Sequence, residues 1–366
     1  MNKKEILPAI KREWAKLITR LSLKEQIQLI KQLSVLMRAG IPLFTSLRML
    51  KEQSKSRSMK TIINSVVHDV ENGQYLSNAL AKFKNVFGEL TISIISVGEI
   101  SGTLSNNLDH LALTLKKKQA LQRKVIGASV YPVFIIIATL AITVLLTVFV
   151  FPKIIPVFQS IHYDLPWSTK FLIFINNQVQ AHGWAMAGST IAIIIIFFIL
   201  LKIKKVRNWY DKAIIYIPYI GKIVITYNTA NICRTLGLLL TSGTTVVRAF
   251  HITSDTTKNL AYKKALASTA DNIVKGEVIS TNLRNHTRLF PLAAAQMVQV
   301  GESTGKLSDT FIYLADIYEE EMDELTKNLS TTIEPLLLIF MGILVGFIAI
   351  SIITPIYGIT QHLTPK

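Results

Sequence analysis

VGEISGTLSNNLDHLA, residues 97–112, and VGESTGKLSDTFIYLA, residues 300–315, are one sequence written twice, with 8 of 16 positions identical. Taken alone, the second copy suggests something else: Gly301, Ser303, Thr304, Gly305 and Lys306 look like a phosphate-binding loop. That loop needs Gly-x-x-x-x-Gly-Lys followed by Ser or Thr, after a strand. Its first glycine would fall on Val300, and the residue after Lys306 is Leu307, so the hydroxyl that would hold Mg²⁺ is missing. The first copy has Thr103 where the second has Lys306, so the lysine is no part of what is repeated. The shared pattern is Val-Gly-Glu-x-x-Gly-x-Leu-Ser, carried by Gly98, Glu99, Gly102 and Leu104 and again by Gly301, Glu302, Gly305 and Leu307. It predicts a tight connection between two antiparallel helices. The second glycine permits positive φ, a neighbouring Ser or Thr caps the next helix, and Leu104/Leu307 with Leu111/Leu314 seat that helix on its neighbours.

The duplication extends outward from this stretch without a gap at an offset of 203 residues. Leu33, Leu36 and Gly40 fall on Leu236, Leu239 and Gly243. Gly73, Ser77, Leu80 and Phe87 fall on Gly276, Ser280, Leu283 and Phe290, and Pro132 and Pro152 fall on Pro335 and Pro355. One offset kept from Leu33 to Pro152 identifies a tandem repeat, and repeats are sought first because they set the architecture.

Each copy ends in a charge-free apolar run: IGASVYPVFIIIATLAITVLLTVFVF at 126–151 and PLLLIFMGILVGFIAISIITPIYG at 335–358. A third, AMAGSTIAIIIIFFILL at 185–201, has no counterpart in the repeat. A bilayer core about 30 Å thick takes about 20 apolar residues in a helix, so all three runs qualify as spans. The 366-residue chain carries a formal net charge of +17, unevenly placed. Residues 1–125 hold 21 Lys and Arg against 9 Asp and Glu, whereas 152–184 holds only Lys153, Lys170 and Asp164. Lys202, Lys204, Lys205 and Arg207 follow the middle run, and only Lys366 follows the last. The positive-inside rule then puts both large polar segments in the cytoplasm. Repeat logic requires the same: two copies that each cross outward need one extra inward span, and the middle run supplies it.

The expected organisation is an all-α membrane protein with two homologous cytoplasmic helical bundles and three transmembrane helices. Its segments are a leader (1–21), bundle one (22–125), span one (126–151), an external loop (152–184), span two (185–203), bundle two (204–333), span three (334–358) and an external tail (359–366). Leu23, Ile27, Ile30, Leu33 and Met37 form one helical stripe. Ala39-Gly40, Asn72-Gly73 and Lys275-Gly276 are stop signals. Pro42 and Pro291 open helices, with Gly88 standing at the position equivalent to Pro291, and Ser77, Ser280 and either Thr244 or Thr245 are expected N-caps. Five or six short helices per copy are expected.

No catalytic constellation emerges. The seven histidines include no i, i+4 pair, and no Gly-x-Ser-x-Gly or Cys-x-x-Cys occurs. The single Cys233 excludes an internal disulfide and is expected to be a small packing residue. The spans hold no ionisable residue, where transporters usually keep functional charges. No cofactor, metal or nucleic-acid partner is expected, because membrane topology and anionic lipid account for the basic charge. Glu99 and Glu302 are either acceptors for N–H groups at the start of the following helix, cation candidates or subunit contacts. YEEEMDELTKN at 318–328 stands where copy one has LKKKQALQRKV. Glu319, Glu320, Glu321, Asp323 and Glu324 are there either a solvated helix face or a docking surface for a basic partner or for the other copy.

Two helical repeats, a span after each, a third span, Val-Gly-Glu-x-x-Gly-x-Leu in each copy and a proline early in each following span (SVYP, TIEP) resemble the type II secretion system F-domain proteins. These are the inner-membrane platform proteins of type IV pilus and type II secretion machines, the PilC/GspF family. LSVLMRAGIPLFTSLRML also looks like the family's first-repeat opening, and the resemblance covers roughly residues 22–360. It implies six-helix bundles, no enzymatic activity, homo-oligomers, and a place in the bacterial cytoplasmic membrane with the N-terminus inside and the C-terminus outside. It further implies coupling of a hexameric cytoplasmic assembly ATPase to pilins or pseudopilins, alongside other inner-membrane assembly proteins. A small permease or channel and a membrane-bound nucleotide-using enzyme are the competing classes.

Overall fold

The computed structural model describes residues 21–54, 56–150, 152–154, 156 and 166–363. The leader apart from Leu21, residues 157–165 of the expected external loop and the last three residues of the tail lie outside them. All regular structure among the described residues is helical.

The first copy starts at a capping box. Ser22 Oγ accepts from the Glu25 amide at 3.2 Å, and Glu25 Oε2 accepts from the Ser22 amide at 2.8 Å. Helix α1 (Leu23–Arg38) follows, with Leu29, Ile30 and Leu33 turned inward, and closes at Ala39. Next come α2 (Leu43–Gln53), α3 (Arg57–Glu71), the short α4 (Leu76–Ala81), α5 (Lys84–Ser101) and α6 (Leu104–Leu145), which continues as a π-helical turn over Leu146–Val150. Between the copies lie α7 (Trp167–Leu200), α8 (Lys204–Ala213) and a 3₁₀ turn (Ile214–Tyr216). The second copy consists of α9 (Ile220–Thr241), α10 (Val246–Thr256), α11 (Leu260–Val274), α12 (Ile279–Arg284), α13 (Leu292–Ser303) and α14 (Leu307–Leu363). Helices α10, α11, α12 and α14 each start 203 residues after α2, α3, α4 and α6.

Where the copies differ, they reach one geometry by different chemistry. Gly88, at φ 75° and ψ 166°, interrupts α5 after its first turn. At the equivalent place Pro291 stands just before α13 and starts it anew. Some expected caps are not made by the residues proposed for them. Ser77 and Ser280 lie inside α4 and α12, whose N-cap residues are Tyr75 and Val278, neither of which caps through its side chain. Thr245 precedes α10 without a side-chain cap, and the buried Thr244 Oγ1 has no hydrogen-bond partner.

Equivalent side chains fill both cores: Leu33 and Leu236, Leu80 and Leu283, Phe87 and Phe290, Leu111 and Leu314 are all buried. Copy two adds aromatic packing, with Phe250 edge-on to Phe311 at 6.3 Å and Tyr262 edge-on to Phe290 at 5.4 Å. The Tyr262 hydroxyl donates to the Leu289 carbonyl at 2.6 Å, which satisfies the one polar atom that this ring takes into the core. Cys233 is buried as a small packing residue, and burial pushes its thiol up to about 12.

The described residues of Met1–Arg123 and of Asn208–Asp323 form one compact unit, so the two bundles are packed on each other. Helix α10 of copy two lies against α5 of copy one. The described residues of Lys124–Arg207 and Glu324–Lys366 form a second unit. Within it, Thr169 Oγ1 on α7 donates to the Ser351 carbonyl on α14 at 2.7 Å, and Leu172 packs on Phe347 and Ile352. Helix α7 begins at Trp167, so residues 167–184 of the expected external loop are helical apart from a break at His182 (φ −132°, ψ 17°), and it bends by 48° between Met186 and Gly188.

Among the described residues, three helical segments are long and apolar enough to cross a membrane, or four if the bent α7 counts as one. Two of them, Leu104–Ile154 and Leu307–Thr354, bury only 6% of their most apolar stretch. The other, Ile220–Thr241, buries 61% of it, because α9 packs side chains such as Ala230, Leu236 and Leu239 into the core. Leu108, on α6, is fully buried in the core of bundle one. Leu108→Ala is expected to cost about 2–5 kcal/mol, read as a lower thermal midpoint of the detergent-solubilised protein, whereas Leu113→Ala on the exposed face of α6 leaves it unchanged.

Candidate functional site

The repeated motif forms the turn between α5 and α6 and the turn between α13 and α14. Gly102 and Gly305 sit at φ 71° and φ 70°, a left-handed conformation that a side chain would strain. The first glycine of each motif has a different task. A Cβ on Gly98 would stand 2.9 Å from the Leu104 Cα, and one on Gly301 would stand 2.8 Å from the Thr310 Cβ. The helices therefore cross so closely that only hydrogen fits between them. Leu104, Leu111 and Leu314 are buried as expected, and Leu307 is half-buried. The turn hydroxyls bond backwards instead of capping the next helix: Thr304 Oγ1 donates to the Val300 carbonyl at 2.8 Å and Ser101 Oγ to the Val97 carbonyl at 2.8 Å.

The glutamates of the motif also face backwards. Glu99 accepts hydrogen bonds from the amides of Leu76, through Oε1, and of Ser77, through Oε2 at 2.9 Å. Glu302 accepts from the amides of Ile279 at 2.8 Å and Ser280 at 3.2 Å. Each carboxylate thus caps the six-residue helix, α4 or α12, that precedes its own helix, and not the helix that follows. A helix N-terminus has unpaired amides and partial positive charge. A carboxylate brought from another element answers both, and the small side chains at Ser77 and Ser280 leave room for it. Among the described residues no group of three or more His, Cys, Asp or Glu side chains gathers that could hold a metal ion.

The acidic stretch falls on α14, and its charges are partly used inside the chain. Glu319 bonds Arg234 of α9, with Nε at 2.9 Å and Nη2 at 2.8 Å, and lies 3.2 Å from Lys117 Nζ of α6. Asp316, one turn earlier, pairs with Lys117 and Arg234, each at 2.5 Å. Burial works against the Asp316 carboxylate, but Lys117 and Arg234 together hold it below its ordinary value. Glu321 pairs with Lys222 at 3.3 Å. Glu320, Asp323 and Glu324 are exposed. Lys117 lies in the basic stretch of copy one, so the charge difference between the copies is spent in part on joining them. Copy one repeats the scheme alone: Lys31, at 2.6 Å, and Arg38 of α1 clasp Asp109 of α6 and hold its carboxyl down to about 2. The motif marks the glutamates, and the basic stretch 115–125 set against the acidic one marks Lys117 as one of several charges; Arg234 and Asp316 lie outside both stretches, and the three meet only in the fold.

The family model for type II secretion system (T2SS), protein F, matches residues 29–152 and 232–355. Each bound of the second segment lies 203 residues beyond its counterpart. The type IV pilus assembly protein PilC of Thermus thermophilus is 31% identical over 334 residues, covering 91% of this chain and 82% of that protein. PilC of Pseudomonas aeruginosa is 31% identical over 328 residues, covering 89% and 87%. The type II secretion system protein F of Vibrio cholerae is 30% identical over 327 residues, covering 89% and 80%.

Two outcomes are expected. Glu302→Ala uncaps α12 and costs about 1–2 kcal/mol; Glu302→Gln, which keeps one acceptor, costs less, and thermal unfolding reads the order. Because the Asp109 carboxyl is lowered from 3.8 to about 2 by Lys31 and Arg38, its ion pairs stabilise the fold fully above about pH 4, and this contribution is lost as pH falls towards 2. Asp109→Asn should therefore lower the thermal midpoint at pH 7 and flatten its decline between pH 4 and pH 2.

Proposed function

The chain belongs to the type II secretion system protein F family, and we propose from this that it is an inner-membrane platform protein of a type IV pilus or type II secretion machine. The observation that carries the mechanical side of this proposal is the continuity of α6 and α14. Each begins as the last helix of a bundle and runs without a loop into a charge-free apolar segment. In this proposal a force on the paired bundles passes along these two helices.

In this proposal a cytoplasmic assembly ATPase supplies the motion, and pilins or pseudopilins leaving the membrane receive it. Other inner-membrane assembly proteins and further copies of the chain complete the machine. The bundles face the cytoplasm, 126–151, 185–203 and 334–358 are the three spans, and the C-terminus is external. The chain does no catalysis itself. The charge asymmetry supports this topology, and the motif at 300–309, which builds a helix-to-helix turn, supports a partner as the nucleotide's owner.

The exposed acids Glu320 and Glu324 are proposed to meet a basic face of the ATPase, a use of charge that favours encounter and orientation. Glu319 and Glu321 work alongside them mainly as internal pairs. Two measurements test the proposal. Deleting the protein should abolish filaments or secretion, and normal filaments together with normal secretion would overturn the platform role. Reversing Glu320 and Glu324 to lysine should lower ATPase co-purification by roughly tenfold or more without lowering the thermal midpoint; unchanged co-purification and piliation would end the docking assignment.

A further inference from the structure

A basic cleft of about 400 Å³ opens in the compact unit between the segment after α7 and bundle two. Lys212, Lys264, His286 and Arg288 form its rim, and Ile215 and Leu289 belong to an apolar floor. No acid lines it. Its walls are built by specific contacts. Asp211 Oδ2 accepts from the Leu260 amide at 2.8 Å, which pins the end of α8 on the start of α11. Lys264 Nζ donates to Asn208 Oδ1 at 3.0 Å. The Arg288 guanidinium lies 4.8 Å from the centre of the Tyr216 ring and also donates to its hydroxyl. These partners are neutral, and among the described residues Lys212, Lys264 and Arg288 enter no ion pair. Converging cations without an internal counter-ion, above an apolar floor, suit a ligand that is anionic at one end and apolar at the other.

The chain supplies the source of that ligand. Helix α8 starts at Lys204, just after the apolar α7 ends at Leu200, so Lys212 follows the end of α7 by twelve residues. Lys202, Lys204, Lys205 and Arg207 are exposed beside the exposed aromatics Trp209, Tyr216 and Tyr219. Basic and aromatic side chains mixed in this way mark a membrane–water interface, and a basic amphipathic helix there lies in the headgroup layer. We propose that the cleft binds the phosphate headgroup of an anionic phospholipid, with Lys212, Lys264 and Arg288 around the phosphate and the start of the acyl chains over Ile215 and Leu289. The site would tie bundle two to the membrane surface through α8. It rests on the proposed membrane placement of α7 but not on the platform role, so its failure would leave that role standing.

The test uses the full chain purified in neutral detergent. Binding of short-chain phosphatidylglycerol, phosphatidylcholine and inorganic phosphate is measured for the wild type, Lys212→Gln/Lys264→Gln, the charge-keeping Lys212→Arg/Lys264→Arg, and Lys202→Gln/Lys204→Gln, which removes the same charge outside the cleft. Phosphatidylglycerol should bind in preference to the other two. The cleft glutamine variant should bind it roughly tenfold more weakly, while the arginine variant and the outside variant stay within about twofold of the wild type. Equal losses in both glutamine variants would reduce the effect to general surface charge and overturn the site. Inorganic phosphate binding as tightly as the lipid would overturn the lipid assignment, and no preference for phosphatidylglycerol over phosphatidylcholine would overturn the whole proposal.

Discussion

Each bundle hangs on a carboxylate that reaches across the chain to the start of a six-residue helix. Glu99 and Glu302 take two backbone amides apiece, and without them α4 and α12 would begin with unpaired donors at a partly buried end. A helix this short cannot sustain itself. It persists because its N-terminus is held by α5 or α13 and its apolar residues are buried. The same glutamate precedes the turn that sends α6 or α14 back across the bundle, and the glycine before it lets the two helices touch. Capping, close approach and reversal are concentrated in Val-Gly-Glu-x-x-Gly, which is reason enough for two copies that differ elsewhere to keep it.

The copies differ in charge at 115–125 and 318–328, and the fold shows one use for the difference. Asp316 and Glu319 on α14 face Arg234 from their own bundle and Lys117 from the other. Such a partly exposed network contributes little to stability pair by pair, but it favours one way of setting the bundles together, since two acidic faces or two basic faces would repel. With α10 packed on α5, the paired bundles are better regarded as one body than as two domains on separate tethers.

Much of this was legible in the primary structure. The repeat, the helix stops at Gly40, Gly73 and Gly276, the helix start at Pro291 and the apolar runs all depend on local preferences or on length, which a sequence displays directly. The caps were harder. Ser77 and Ser280 looked like N-caps because they are small hydroxyl residues near helix starts, yet the acceptors come from glutamates more than twenty residues away, and sequence separation conceals such a contact. The acidic stretch was visible as composition, but which of its members are consumed internally depended on where Lys117 and Arg234 arrive.

The sequence by itself determined that this chain is a duplicated helical protein whose copies each end in an apolar span, because periodicity, glycine stops and uncharged length are properties of neighbouring residues. Only the tertiary structure decided that the two bundles form one compact unit, that the repeated glutamates cap helices behind them, and that four basic side chains from α8, α11 and the segment after α12 converge on one cleft. These facts depend on elements distant in the chain meeting at distances of a few ångströms, and no local pattern encodes such a meeting.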